Sequence, residues 1–265
     1  MGSVLNAILL GIIQGITEFL PISSSGHLEL AKYFLGEEAI GEESLFFTVV
    51  LHFATALSTI VVFRKEIWQI LRDLFSYEMN DGKKFALMIL ISMIPAVFVG
   101  LVFEDFIASL FNQNIYMVGG MLIVTGFLLI LADRAKTSLK GVSALNALII
   151  GIAQALAIMP GLSRSGATVS ASVLLGIDRT KAASFSFLMV VPLIFGKIIL
   201  DVSADDFQVA DTQLHMLGIG FVSAFISGML ACHLMVKLIK ISKLKYFSIY
   251  CFIIAIVSML WFANS

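Results

Sequence analysis

Charge is what this 265-residue chain has least of. Asp, Glu, Lys and Arg together make up 13% of it, while 59% of its residues are hydrophobic. Soluble domains carry about 25% charged residues, so the shortage excludes a soluble enzyme, a secreted scaffold and a disordered chain. A polytopic membrane protein remains. Basic excess is also missing: the formal net charge is −1, which supplies no positive field for nucleic acid. Cysteine is nearly absent. Cys232 and Cys251 both lie inside apolar runs, and no disulfide framework or zinc spacing can be built from them. Residues 1–17 carry no charge and therefore no signal-peptide n-region, so the N-terminus reads as mature structure.

What the chain does have is long apolar runs. A helical crossing needs about 20 mostly apolar residues, and charge-free runs occur at 44–63, 85–103, 106–132, 141–163, 212–236 and 246–265. A shorter run at 182–196 reaches about residue 200 if Lys197 snorkels toward Asp201. Fourteen of the 17 Lys and Arg fall in four loops. These hold Arg64 to Lys84, Arg134 to Lys140, Arg179 with Lys181, and Lys237 to Lys245. The loops near 35–45, 104–114 and 201–213 have no basic residue and are acidic. The positive-inside rule places the basic loops in the cytoplasm and the acidic ones outside.

Alternation then requires crossings at about 44–63, 85–103, 114–133, 183–200, 214–236 and 246–262. Two apolar segments are left over, 1–34 and 141–176, and each must enter the membrane and return on the same side. Both termini fall outside. The expected fold is an all-α polytopic membrane protein whose halves, 1–135 and 141–265, each consist of a re-entrant helical hairpin and three crossings.

The sequence repeats itself in the same register. GIIQGITEFLPISSSG at 11–26 and GIAQALAIMPGLSRSG at 151–166 share six of 16 positions at an offset of 140. Three crossings follow each copy, and three is odd, so the second copy lies inverted. Inverted-topology repeats place their site near the midplane, at the repeat interface.

The chemistry-bearing residues cluster in these two segments. Glu18 sits mid-run, where a carboxylate costs roughly 2.5–3.5 kcal/mol and should face a cavity or a partner. Gln14, four residues earlier, shares its helix face. Pro21 ends or kinks the helix, and Ser23-Ser24-Ser25-Gly26-His27 follows, a small-residue turn able to form an anion nest. In the second copy Glu18 is replaced by Ile158, His27 by Ala167 and Ser24 by Arg164, with Thr168 adding a hydroxyl. Arg164, flanked by Ser163 and Ser165, offers the fork geometry that grips phosphate oxygens. Magnesium takes one or two carboxylates plus substrate phosphates, which Glu18, Gln14 and a diphosphate can supply. Plainer readings exist for several residues. A Glu18–Arg164 ion pair could be structural only, and serine-rich turns are often packing devices. His52 reads as helix-packing or pore-facing, and His215 and His233 as structural. Glu29 and Lys32 read as support for the returning helix, and Ser223, Ser227 and Gly228 as close helix packing.

Q-x-x-x-E at Gln14–Glu18, running into FLPISSSGH at 19–27, and PGLSRSGAT at 160–168 resemble the two signatures of the undecaprenyl-diphosphatase family. These are bacitracin-resistance membrane phosphatases of bacteria. The resemblance covers essentially the whole chain. It implies hydrolysis of undecaprenyl diphosphate to the monophosphate and inorganic phosphate, which recycles the lipid carrier for peptidoglycan, and a site on the outer side of the plasma membrane. It further implies a divalent cation, Mg2+ or Ca2+, on Gln14 and Glu18. Ser24 becomes the candidate nucleophile and His27 its base or acid, with Glu18 and Arg164 also catalytic. Ser23, Ser25, Ser163, Arg164, Ser165 and Thr168 would grip the diphosphate. The first motif position is Gln rather than Glu, one anionic ligand fewer. The implied partners are the polyprenyl diphosphate and membrane lipids. A homodimer is compatible with the sequence but not specified by it.

Two competing readings are weaker. Type 2 phosphatidic acid phosphatases continue their S-R string to a His, but here residue 170 is Ser and no His follows Arg164 before His215. A transporter or lipid flippase shares the inverted repeat and the midplane charge, but it does not call for both motif strings.

Overall fold

The computed structural model describes residues 4–34, 41–110, 115–136, 138–203 and 211–264. Every element among them is helical. The chain begins with a broken pair, α1 (Val4–Phe19) and α2 (Ser24–Phe34). The span α3 (Gly41–Val62) then turns by 78° into the short α4 (Arg64–Leu74). α5 (Asp81–Val102), the short α6 (Glu104–Leu110) and α7 (Ile115–Arg134) complete the first half. A second broken pair follows, α8 (Ala144–Leu156) and α9 (Arg164–Leu174). After it come α10 (Arg179–Leu188), α11 (Val190–Ser203), α12 (Asp211–Lys240) and α13 (Lys245–Asn264). α10 and α11 together form one apolar span from Arg179 to Leu200. It is interrupted at Met189, where Pro192 has no N–H to return to Leu188.

Among the described residues five helical spans are long and apolar enough to cross a membrane, six if the bent α3–α4 pair is counted as one span. Their surfaces support the reading. On α5, Leu87, Leu90, Ile94, Phe98 and Leu101 form an exposed stripe at helical spacing. In water such a stripe would aggregate; in a bilayer it is the lipid-facing side. α4 was expected only as part of a basic loop. It has no buried residue, and it exposes Trp68 beside Arg64, Lys65 and Arg72. That is the character of a helix lying in the headgroup plane.

Packing is crossed between the halves. α1 lies against α12 and α3, α8 against α5 and α9, and α7 against α13 and α9. Small residues permit the closest approaches. A Cβ on Gly11 would stand 2.5 Å from the Gly220 carbonyl oxygen, and one on Gly15 2.6 Å from that of Ala224. In the second half a Cβ on Gly151 would collide with the Ser92 carbonyl oxygen. Ser227 Oγ is 3.5 Å from the Gly11 carbonyl oxygen, and Ser58 Oγ donates to the Phe225 carbonyl at 2.8 Å. The small residues of α12 are thus a packing seam. Gly15→Ala is expected to cost about 3 kcal/mol through overpacking, seen as a lower Tm in detergent. Gly100→Ala, with open space around it, should leave Tm unchanged or raised.

Three of the four basic loops are tied together at one end of the bundle. Arg179 is buried and donates through Nη2 to the carbonyls of Ala132, Asp133 and Ala135, the last turn of α7. The cation stands where the helix dipole is negative. Asp133 in turn accepts from the backbone N–H groups of Leu244 and Lys245, which start α13. Away from these ties, Lys197 reaches Glu104 at 3.4 Å; its expected neighbour Asp201 has a side chain outside the described residues.

Candidate active site

Both broken pairs turn on the same local chemistry. Pro21 and Pro160 fall in the breaks. At each restart the first serine of the Ser-x-Ser-Gly string caps the new helix. Ser23 Oγ accepts from Gly26 N at 3.2 Å, and Ser163 Oγ accepts from Gly166 N at 3.0 Å. The second serine of each string stands 3.4 Å and 3.3 Å from the first. Three of the six repeat matches therefore build one N-cap twice. The turns differ in where they take a left-handed residue: Ser23 has φ +72°, whereas the other turn uses Gly161 at φ +90°. Serine there carries a strain that glycine does not.

The two turns are in contact. A Cβ on Gly26 would lie 3.0 Å from Gly161 Cα, and one on Gly166 would lie 3.3 Å from Pro21 Cβ. Ser165 Oγ donates to the Leu20 carbonyl at 3.4 Å. Thr125 of α7 props the second turn, accepting from Ser163 N at 3.0 Å and donating to the Gly161 carbonyl at 3.3 Å. Two helix N-termini, with their unpaired N–H groups and positive dipole ends, thereby reach one locus.

Glu18 is the hub of that locus. It is 7% exposed. Its Oε1 pairs with Arg164 Nη2 across the two halves. Its Oε2 accepts from Ser24 Oγ at 2.8 Å and from Gln14 Nε2 at 3.0 Å, and His52 Nε2 stands 3.8 Å away. Arg164 Nη1 donates to the Ser186 carbonyl at 3.3 Å. Thr168 braces this arm, with its Oγ1 2.5 Å from Ser186 Oγ and 2.9 Å from the Arg164 carbonyl. Carboxylate, guanidinium and hydroxyl thus meet in one cluster.

The expected site residues divide by access. Ser23, Ser163, Ser165 and Thr168 are buried and engaged in caps and struts. Ser24, Ser25, His27 and Arg164 keep partial exposure. His27 does not reach Ser24. Its Nδ1 bonds the Ser23 carbonyl at 2.8 Å, its Nε2 meets the Tyr250 hydroxyl at 2.9 Å, and its ring stacks on Tyr250. A carbonyl only accepts, so Nδ1 carries the proton and Nε2 receives the Tyr250 O–H. His27 and Tyr250 line an apolar cavity of about 660 Å³ between α1, α2 and α13, together with Ile16, Leu30 and Val257. Neither Glu18 nor Arg164 lines it.

A divalent cation is compatible with the donors present. Among the described residues no cluster of three or more His, Cys, Asp and Glu exists. Gln14 Oε1, however, is buried with no hydrogen-bond partner, on the residue that already touches Glu18. The Gln14 Nε2 faces Glu18; with the amide turned over, the spare oxygen would stand beside the carboxylate, a donor pair of the kind hard cations take. Sequence reasoning missed His52, Ser186, Thr125 and Tyr250 as parts of the site. The signal for His52 was an imidazole inside an apolar crossing, with no spacing relation to Glu18. The other three had none, because their role depends on which helices meet.

Residues 7–257 match the family model described as Bacitracin resistance protein BacA. Among curated relatives, the undecaprenyl-diphosphatase of Christiangramia forsetii is 56% identical over 97% of this chain and 98% of its own length. That of Bacteroides fragilis is 46% identical over 96% of both chains. That of the methanogen Methanococcus vannielii is 40% identical over 93% of this chain and 95% of its own.

Proposed function

Because the chain belongs to the bacitracin resistance protein BacA family, we propose that it hydrolyses undecaprenyl diphosphate. The products are undecaprenyl phosphate and inorganic phosphate. This returns the lipid carrier to cell-wall synthesis and underlies resistance to bacitracin. The observation that carries the reading is the junction of Glu18, Ser24 and Arg164 at the meeting of the two helix breaks.

Arg164 grips the phosphoryl oxygens, its fork held by the Ser186 carbonyl on one arm and Glu18 on the other. The N-termini of α2 and α9 add backbone N–H groups, so negative charge developing in the transition state meets oriented donors. Ser24 donates to Glu18 and His27 turns away to Tyr250, which supports Glu18 as its base in this reading. As Ser24 Oγ bonds the terminal phosphorus, its proton passes to Glu18 and the bridging P–O bond breaks, releasing undecaprenyl phosphate. Glu18 passes that proton to the departing phosphate oxygen and is a carboxylate again. It then takes a proton from water, whose oxygen bonds the phosphorus as the P–Oγ bond breaks. That proton returns to Ser24 and inorganic phosphate is freed. Gln14 and Glu18 would hold a divalent cation, which when bound supplies charge neutralisation on the diphosphate. The prenyl tail is assigned to the apolar cavity between α1, α2 and α13, with His27 and Tyr250 as its polar edge.

The chain is a multi-pass membrane protein, placed by this reading in the bacterial plasma membrane with its basic loops inside and the catalytic locus open to the outer face. The inverted repeat receives support from the crossed packing. Arm α1 rests on α12 while arm α8 rests on α5, and the matched Gly11 and Gly151 make the close approach in each case.

The test is phosphate release from a long-chain prenyl diphosphate by purified protein in detergent micelles, with magnesium and with chelator. Metal-dependent release is expected. A transporter needs two compartments and would release none, so well-folded protein without turnover would sink the phosphatase reading.

A further inference from the structure

Among the described residues around Glu18, His52 is a group for which the reaction above has no use. Its Nδ1 lies 2.8 Å from the Thr48 carbonyl, one turn back in α3. That carbonyl can only accept, so Nδ1 carries a hydrogen, and in the neutral ring that a metal would take the lone pair is on Nε2. Nε2 is aimed at Glu18 Oε2 at 3.8 Å, and the side chain is 30% exposed. This distance is too long for a hydrogen bond. It falls instead within the spacing of about 3–4 Å expected for two donors at roughly 2.0–2.2 Å from one small divalent cation. A ligating imidazole characteristically gives its other N–H to a backbone carbonyl, which fixes the tautomer and the ring orientation. His52 already has that arrangement, and Gln14, whose amide touches Glu18 through Nε2, carries an unpartnered Oε1. His27, the other histidine nearby, has its corresponding nitrogen occupied by Tyr250.

We infer that His52 Nε2 is a protein ligand of the divalent cation, completing a nitrogen–oxygen set with Glu18 and Gln14. The assignment rests on the reading that a cation binds at Glu18. It replaces the carboxylate that a Glu at position 14 would have supplied with a neutral nitrogen contributed by α3. A nitrogen donor moves preference away from Ca2+ and toward transition cations.

The probe is Mn2+ bound to the purified full chain in detergent, read by electron spin-echo modulation from directly bound nitrogen and by Mn2+ titration. Wild type is expected to show one tight Mn2+ with histidine 14N modulation, and His27→Ala should keep it. His52→Ala and His52→Gln should both abolish the modulation and weaken Mn2+ by at least about 10-fold, with the Ca2+ affinity less affected. Two variants of different size guard against a folding defect, checked by Tm. Tight Mn2+ that depends on Glu18 but shows no nitrogen modulation would overturn the His52 assignment and leave the cation reading standing. No Mn2+ site that Glu18→Gln removes would overturn both.

Discussion

Arg164→Ala should lower kcat/KM by about 10³–10⁵-fold, the range associated with removing an arginine that neutralises a transferring phosphoryl group. The same change should cost about 3–5 kcal/mol of stability, since it leaves Glu18 buried without its cation. The two losses can be separated. Glu18→Gln combined with Arg164→Met removes both charges and keeps volume, so Tm should return close to wild type while phosphate release stays absent. Arg164→Lys should fall in between, because one ammonium cannot hold both the Ser186 carbonyl and Glu18 as the fork does. If the double variant hydrolysed substrate normally, the pair would be structural only.

Ser24→Ala should reduce kcat by about 10³–10⁴-fold with KM nearly unchanged, because it deletes the attacking oxygen while leaving Arg164 and both helix N-termini to bind the diphosphate. Ser25→Ala, whose hydroxyl points back toward Ser23, should stay within about 10-fold of wild type. Acid quenching of a slow substrate labelled in its terminal phosphate should leave label on residue 24. Near-normal turnover by Ser24→Ala would show that water attacks directly. In that case Glu18→Gln would still be inactive, since the carboxylate is the base in either route.

Much of this arrangement was legible from the sequence because it rests on local rules. Apolar runs located the spanning helices, and prolines with small residues located both breaks. The offset of 140 paired the Ser-x-Ser-Gly strings that prove to be twin caps. Glu18 and Arg164 were identified because ionised groups in apolar runs need partners. Roles that depend on rotation about a helix were not legible. Ser24 and His27 are three residues apart, yet one side chain turns to Glu18 and the other to Tyr250. His52 joins Glu18 only through the packing of α3 against α1. Thr168 was read as a substrate grip by its motif position; its burial against Ser186 was not legible there. The amphipathic α4 passed for a loop because its five charged residues equal its five apolar ones in number, leaving no apolar run to read.

The contact between Glu18 and Arg164 joins residues 146 positions apart, and a chain is made in order. At about 5–20 residues per second, roughly 7–30 s pass between synthesis of the carboxylate and synthesis of the guanidinium that neutralises it. Throughout that interval the first broken pair has no cation at its tip and no second turn to rest against. The junction of carboxylate and guanidinium is thus completed from behind, when α8 and α9 arrive.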